Sequence, residues 1–375
     1  MVLTAHYIDK DHNRCAKLLS SLLYTGLELN ALLKNELNKW DILEKIEAVV
    51  SDINSAIGKA LTIGGWSKIT CFAHILNHIL LSGIGELHAA VVKMKQVAEN
   101  YEESLLPPEL IQDMTYRWNS LYDMLNRIIA SKDHLSEEDW EIAEHSLQIL
   151  KPFYEVTMEI SADKYVSLSK IIVYCRLLCQ HLDMHKRKET VPIVKKLIKQ
   201  LIDSMHRTFY INHDVESNQL YAEATILDPR FKKNGFSDQT KYHKALANLK
   251  QTFEENCAPI QKTQNLFPGS IWEQYIIETS VPEYDGSGAN ELSRYIEEPI
   301  VSLHKFPLMW WVLNLGRKQV YPHLYEVVLK RLNIPGNSIP GERIFTKVAR
   351  ELNERRASLG SKYLAELQFI ASNAD

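Results

Sequence analysis

The sequence has 375 residues, of which 45% are hydrophobic and 24% are charged, and its formal net charge is -4 at pH 7. This composition is typical of a folded globular protein, and the length allows one large core or two domains. The mild acidity argues against a wide nucleic-acid-binding surface, although local basic segments could still contact phosphate. Five irregularly spaced cysteines predict reduced thiols inside a cell. No apolar run approaches membrane-spanning length and the first residues do not form a signal peptide, so we predict no membrane segment.

The N-terminal part predicts a mixture of strands and helices. Residues 2–8 and 16–24 are rich in strand-forming residues, although the leucines of the second run leave a helix possible. Residues 27–40 have a helical apolar period, and a short strand over 45–50 is followed by Asp52 and a further helix. This order of elements is expected for part of an RNase H-like α/β domain.

Asp52 lies just past the end of a predicted strand. A carboxylate in this place sits at the rim of an open α/β sheet, where such sheets bind ligands. The ordinary alternative is that it caps a helix. Further along, Cys71, His74 and His78 could share one face of a helix. A structural zinc site needs four ligands, and no second Cys/His pair with finger spacing lies nearby, so zinc is not predicted.

Residues 83–280 are predicted to be almost wholly helical. Apolar residues recur with a helical period, and the breaks between helices include Pro107–Pro108, residues 185–192 and a turn at Asp228–Pro229. Trp118 lies in one of these helices, where a tryptophan is ordinarily a core residue.

The main basic segment of the chain follows the helix that ends near residue 185. A solvated helix face is the ordinary explanation of such a segment. Contact with phosphate is the sharper alternative, and binding of that kind would weaken steeply as salt is added. The basic residues are His185, Lys186, Arg187 and Lys188, with Lys195, Lys196 and Lys199 close behind.

The C-terminal part contains a Pro/Gly-rich break and then a new helix. Glu342 would lie in the first turn of that helix, where the helix dipole favours a carboxylate. The helices on both sides of the break are rich in aromatic residues and leucine. A partner chain could bury these stripes, or they could pack on the helical middle of the same chain. The residues in question are Trp310, Trp311, Leu324, Leu332, Ile344, Phe345, Leu367 and Phe369.

Several motifs of the chain resemble those of the hAT-superfamily transposases. The C-terminal block of that family is matched at Pro335, Ser338, Pro340, Glu342, Arg343, Phe345, Thr346, Arg356 and Leu359. Gly341 stands where the family has serine. Further blocks occur in the family's order and are similar to those of its zinc-finger BED-domain-containing branch, so the resemblance covers nearly the whole chain. They lie at residues 4–9, 49–57, 71–77, 117–125, 224–232 and 306–311.

The resemblance implies roles for individual residues. Asp52 and Glu342 would be the second and third acids of a carboxylate triad that binds Mg2+ or Mn2+, and the first acid would lie upstream of Met1. Since two-metal phosphoryl transfer needs carboxylates for both cations, we expect no strand-transfer activity, and no cofactor unless activity is retained. A histidine at position 74 would contact DNA, and the tryptophan at 118 would stack on an extruded base. The predicted DNA contacts are His74, Trp118, Arg343, Lys186, Arg187 and Lys188.

These observations together predict an architecture of the α/β plus α class. An incomplete RNase H-like core over residues 1–82 is interrupted by an all-helical insertion over 83–280. A hAT C-terminal dimerisation region over 290–375 completes the core, and it should bring Glu342 close to Asp52.

The function that these features favour is that of a nuclear protein derived from a hAT transposase and without catalysis. It would form homodimers, or heterodimers with hAT relatives, and DNA is a candidate ligand. One alternative is a fragment of an active, metal-dependent transposase whose first acid and BED zinc finger lie upstream. A second alternative is a helical scaffold that binds only proteins. We expect neither a membrane nor a small-molecule substrate.

Overall fold

The computed structural model describes residues 2–11, 13–21, 29–101, 118–130, 136–161, 168–256, 288–312 and 315–339, together with Phe369 and Asn373. The described strands are β1 (Val2–Ile8), β2 (Arg14–Ser21), β3 (Val49–Ser51) and β4 (Lys68–Thr70). The described helices are α1 (Leu29–Lys39), α2 (Ser55–Gly64), α3 (Phe72–Ile84), α4 (His88–Tyr101), α5 (Trp118–Ala130), α6 (Glu137–Ser161), α7 (Ile171–Lys188), α8 (Pro192–His206), α9 (Gln219–Leu227), α10 (Gln239–Asn256), α11 (Gly288–Glu297), α12 (Pro307–Val312), α13 (Leu315–Val320) and α14 (Pro322–Asn333).

The four described strands form two separate pairs. β1 runs antiparallel to β2, with Val2 opposite Ser21, and β3 runs parallel to β4 with α2 as the crossover between them. The first predicted strand is confirmed, whereas the second begins earlier than predicted, at Arg14. The third begins only at Val49 because Leu43–Lys45 form a 3₁₀ turn. Since the described strands lie in two two-stranded sheets, the RNase H-like core stays a prediction.

The crossover helix α2 is defined by a cap at each end. The side chain of Asn54 accepts the backbone N–H of Ala56 at 2.9 Å. At the other end Gly65 adopts the left-handed conformation, with a φ of 74°, which a residue with a Cβ atom adopts only with strain. Between these caps α2 packs on α1 and forms a small core of its own. That core consists of Leu29, Leu33, Ala60 and Leu61.

The helical middle is confirmed wherever the structure describes it. α3 packs closely on α8 at Gly83, where an added Cβ atom would lie only 2.6 Å from Cδ2 of Leu201. The predicted break at residues 185–192 is wrong in its first half, since α7 continues through Lys188. Pro192 then occupies the first turn of α8, where its missing N–H costs nothing.

One helical run reaches membrane-spanning length, contrary to our prediction. Phe72–Met94 comprises 23 residues and is apolar enough to cross a bilayer by length and composition alone. The run continues past Gly83, the glycine that makes the close contact with α8. One face of α3 is buried against α6 and α8, and a core helix of this kind has the same composition as a membrane span.

A buried turn joins the helical middle to the C-terminal helices. Asp228 is fully buried and accepts the Ser169 hydroxyl at 2.7 Å. The Arg230 guanidinium donates to the same carboxylate at 2.6 and 2.8 Å. From the C-terminal side, the Trp311 indole N–H donates to the carbonyl of Leu227 at 3.1 Å. The predicted turn at Asp228 is confirmed, and it is also the ionic centre of this junction.

A buried lysine adds to the same junction. Nζ of Lys232 donates to the carbonyls of Tyr295 and Glu298, the second at 2.7 Å, and lies 4.2 Å from the centre of the Tyr295 ring. Burial lowers the pKa of Lys232 to about 8. The described helices from α3 to α14, except α13, contribute to one continuous buried cluster. The C-terminal helices therefore pack into the same core as the helical middle.

Candidate functional site

A cleft lies beside both strand pairs, and its volume is about 1030 Å³. It is lined by β1 and by residues 46–52, which include β3. Leu33, Leu37 and Leu61 of α1 and α2 contribute apolar side chains to the lining. The C-terminal segment 333–338 lines the cleft as well. Residues from both ends of the described chain thus meet at this one cavity.

Asp52 lies directly after β3, as predicted, and it lines this cleft. Its Oδ1 atom accepts the backbone N–H of Asn54 at 3.1 Å. The residue that caps α2 is Asn54, so the alternative in which Asp52 caps the helix is wrong. The partly exposed carboxylate is held at the end of a strand by a local turn, where it borders the cleft.

The C-terminal segment returns to the start of α3 beside this cleft. The Phe72 N–H donates to the carbonyl of Gly336 at 3.0 Å, and the Ser338 N–H donates to Sγ of Cys71 at 3.2 Å. Ser338 lines the same cleft as Asp52 and precedes position 342 by four residues. The distance between the two predicted acids is untested. Glu342 lies outside the described residues, as do Arg343, Ile344, Phe345 and Leu367.

An ion-pair network connects α14 to the rim of the cleft. Arg331 donates to Glu47 at 2.8 Å and also to Glu223 of α9, and Lys330 lies 3.1 Å from Glu47. Burial raises the pKa of the Glu47 carboxyl, but the two cations outweigh this effect and leave the pKa below its usual value. The network holds the segment before β3, the helical middle and the C-terminal helix in one arrangement.

Cys71 and His74 interact at the start of α3. The thiol of Cys71 is fully buried. Burial raises the pKa of Cys71, yet hydrogen bonding with His74 and with the N–H of Ser338 outweighs burial and leaves the pKa below its usual value. The described part of the chain contains no group of three or more His, Cys, Asp or Glu residues that could hold a metal ion. The hydrogen bond between the Ser338 N–H and Cys71 anchors the C-terminal segment at the start of α3. A contact between His74 and DNA stays a prediction.

Trp118 is a core residue in this structure. Its side chain is only 2% exposed, and its ring packs edge-on against Tyr122 and Tyr154 with centroid distances of 6.5 and 6.2 Å. Its backbone N–H donates to Oδ1 of Asn77 at 3.2 Å, which ties α5 to α3. In this conformation the indole has no open face for the predicted stacking on a base, because its faces are covered by the protein.

The basic segment lies at a corner between two helices. Lys186, Arg187 and Lys188 are exposed in the last turn of α7, where cations are favoured by the helix dipole. Glu189 follows them, but its carboxylate is turned inward: it pairs with His145 at 2.9 Å and accepts backbone N–H groups. It therefore does not neutralise the exposed cations. The exposed lysines of the first turns of α8 continue the same charge, at Lys195, Lys196 and Lys199.

Curated proteins of similar sequence are known from animals and plants. Zinc finger BED domain-containing protein 4 of Homo sapiens is 23% identical over 100% of this chain and 36% of its own length. A Zea mays protein named as an AC transposase is 23% identical over 98% of this chain and 54% of its own length. Zinc finger BED domain-containing protein RICESLEEPER 1 of Oryza sativa subsp. japonica is 22% identical, over 95% of this chain and 60% of its own length. The chain thus spans about a third to three fifths of these relatives.

A family model matches the C-terminal part of the chain. Residues 291–374 match the hAT family C-terminal dimerisation region. The C-terminal part of the chain is therefore hAT-like, and over its length the chain resembles relatives named as a transposase and as BED zinc finger proteins. The matched region begins inside α11, includes α12 to α14, and continues beyond the cleft-lining segment. The match to this region indicates that the chain self-associates. The same region contains the aromatic and leucine stripes.

Of the five predicted dimerisation residues that the structure describes, three lie inside the protomer. Trp311, Leu324 and Leu332 are fully buried in the continuous core, which is the alternative that we had kept open. Trp310 is only partly buried, and the Arg317 guanidinium lies 3.4 Å from the centre of its ring. Phe369 packs against Trp40 with a centroid distance of 6.1 Å. A surface for a second copy therefore needs other residues than the three buried ones.

Sequence reasoning missed two sets of residues in the hAT-like chain. The first is the buried pair of Asp228 and Arg230, whose only signal is an acid and a base two residues apart inside an apolar run. The second is a set of exposed apolar residues that begins after α11 and ends inside α12. Its signal is the spacing, since these residues recur at every third position. They are Ile300, Leu303, Phe306 and Met309.

Proposed function

We propose that this hAT-like chain is a nuclear protein that pairs with a second copy through its C-terminal region, binds DNA, and does not catalyse strand transfer. The observation that carries the proposal is the match of residues 291–374 to the hAT dimerisation region. A heterodimer with another hAT protein would use the same region. Since the chain spans only part of its relatives, the activity of the whole protein belongs to the proposal.

The basic corner supports the DNA-binding part of this proposal. It presents six exposed cations within 14 residues, from Lys186 to Lys199, on a chain whose net charge is -4. The inward carboxylate of Glu189 leaves these charges facing solvent, and the exposed acids that flank the corner in sequence are Asp183 and Asp203. Clustered lysine and arginine on one surface is the electrostatic pattern that binds phosphate backbones.

Replacing Lys186, Arg187 and Lys188 together by glutamine is expected to weaken binding to duplex DNA of mixed sequence. Each lost phosphate contact makes the slope of log affinity against log salt about 0.9 less negative. The slope of the triple variant should therefore be less negative than that of wild type by about 3. Fluorescence anisotropy of a labelled duplex between about 50 and 200 mM salt measures this. The matched control replaces Lys34, Lys59 and Lys244, which are exposed elsewhere.

The outcome also separates the DNA-binding proposal from a scaffold that binds only proteins. A control triple variant with the same slope as the triple variant of the basic corner would show that the binding is diffuse and that this corner has no special role. If the wild-type chain does not bind duplex DNA even at low salt, the scaffold is the better assignment.

For a polypeptide of these 375 residues we propose the absence of catalysis, because within them only Asp52 and Glu342 match acids of the family's triad. Two cations roughly 4 Å apart need more carboxylate ligands than two side chains supply. We expect purified protein to give neither hairpins nor strand-transfer products with Mg2+ or Mn2+. The assay uses a labelled DNA end and compares wild type with Glu342→Gln and Asp52→Asn.

One observation favours the active alternative and makes this assay necessary. Asp52 borders the cleft, and Ser338, four residues before Glu342, borders the same cleft. A residual metal site would therefore have a cavity in which to act. Clear turnover by wild type that is abolished by Glu342→Gln would overturn the inactive assignment and leave the other two parts of the proposal standing.

A further inference from the structure

An exposed apolar stripe begins after α11 and ends inside α12, within the region matched to hAT dimerisation. We define the 300–309 stripe as Ile300, Leu303, Phe306 and Met309, whose side chains are 52%, 67%, 51% and 44% exposed. Four large apolar side chains are thus exposed within ten residues, and exposed apolar surface of this extent marks interaction sites. Elsewhere on the described chain, large exposed apolar residues such as Ile63 and Ile211 stand more singly.

Hydrogen bonds and core packing hold the segments on both sides of the stripe in place. On its N-terminal side, Glu298 accepts hydrogen bonds from Arg317 at 2.9 and 3.1 Å and from the Tyr321 hydroxyl at 2.6 Å. The Val301 N–H then donates to the carbonyl of Pro229 in the buried turn at 3.0 Å. On the other side the stripe runs into α12, which packs through Trp311. The apolar side chains are therefore held outward by hydrogen bonds on one side and core packing on the other.

We infer that the 300–309 stripe is part of the surface by which a second copy of this chain binds, an inference that rests on the proposed self-association. The occupant is a second copy because the stripe falls within residues 291–374, which match a dimerisation region, while three of the predicted interface residues are buried in the protomer. In a two-fold dimer the same surface of each copy faces the other. An apolar stripe can pack against its own copy in this way, because it needs no charged counterpart. A stable interface needs roughly 800 Å² per partner, so further residues of the matched region complete it.

The test compares the self-association of two double variants of the full chain. Leu303→Glu with Met309→Glu places charges in the stripe, and the control, Ile63→Glu with Ile211→Glu, places them at equally exposed apolar positions outside the matched region. Sedimentation velocity over a range of micromolar concentrations should show wild type and control at twice 43.2 kDa. The stripe variant should dissociate with a Kd raised by about a hundredfold, since two substitutions near the centre of an interface cost about tenfold each.

Circular dichroism melting establishes that each variant is folded, and Leu303→Ser provides a milder substitution if the charged variant does not fold. A wild-type dimer whose Kd is unchanged in both stripe variants would overturn the assignment of the stripe and leave dimerisation in place. A wild-type monomer at every concentration would overturn the self-association as well. A control variant that dissociates as readily as the stripe variant would also contradict the inference, because a charge at any exposed apolar position would then weaken the dimer equally.

Discussion

Replacing Asp228 by alanine is expected to lower the free energy of unfolding by about 3–5 kcal/mol, because it leaves the charge of a buried partner uncompensated. Asp228 is fully buried and its carboxylate accepts the Arg230 guanidinium at 2.6 and 2.8 Å. The Ser169 hydroxyl, 2.7 Å from the same carboxylate, would lose its acceptor too. Denaturation in urea, followed by circular dichroism, measures the loss. The matched control is Asp183→Ala on the exposed side of α7, expected within about 0.5 kcal/mol of wild type.

A double-mutant cycle shows how much of this loss comes from the stranded arginine. Arg230→Met removes the guanidinium and keeps much of its apolar volume. The double variant Asp228→Ala with Arg230→Met should be more stable than Asp228→Ala alone, because no uncompensated charge remains buried. A loss below about 1 kcal/mol for Asp228→Ala would contradict the central place that the structure gives to this turn.

Replacing Trp311 by alanine is expected to cost about 3–5 kcal/mol of stability, the range found when large buried aromatic residues are truncated. Trp311 is fully buried, and its indole N–H donates to the carbonyl of Leu227 at 3.1 Å. The substitution therefore opens a cavity and leaves a buried carbonyl without its donor. Urea denaturation at fixed protein concentration measures the effect. Trp310→Ala, at the partly buried neighbour, is the matched control and should cost clearly less.

This variant also distinguishes a core residue from an interface residue. Leu303→Glu should change self-association and leave the unfolding of the protomer nearly unchanged, whereas Trp311→Ala should do the opposite. A Trp311→Ala protein with wild-type stability and weakened self-association would show that the residue acts at the interface after all.

Local patterns were sufficient to predict much of the secondary structure. β1 was predicted because its residues favour strands. Asp52 was predicted to be a site residue because it follows a strand, and open α/β sheets bind ligands at the ends of their strands. β4 was missed because Lys68–Thr70 comprises only three residues, which is too short for any periodic signal. The end of α7 was misplaced, because the predicted break began at His185 whereas the helix continues through Lys188. In the structure the basic residues that follow His185 lie on the last helical turn, where the helix dipole favours cations.

The partner of an apolar stripe could not be predicted in the same way. The stripe that contains Leu324 and Leu332 has the period of a buried helix face, and that period is identical whether the face packs on its own chain or on another. The structure assigns both residues to the protomer core. Likewise, Asp228 before a proline reads as a turn residue, because its partner Ser169 is 59 residues away in sequence and leaves no local signal.

The contact between Asn333 and the first strand has a consequence for biosynthesis. Nδ2 of Asn333 donates to the carbonyl of His6 at 3.0 Å, although 327 residues separate them in the chain. At ~5–20 residues per second, a ribosome releases the first of these groups roughly 15–65 s before the second. During that interval the N-terminal hairpin lacks the contacts that α14 makes with β1 in the folded chain. The hairpin can therefore reach its final packing only after α14 has been synthesised.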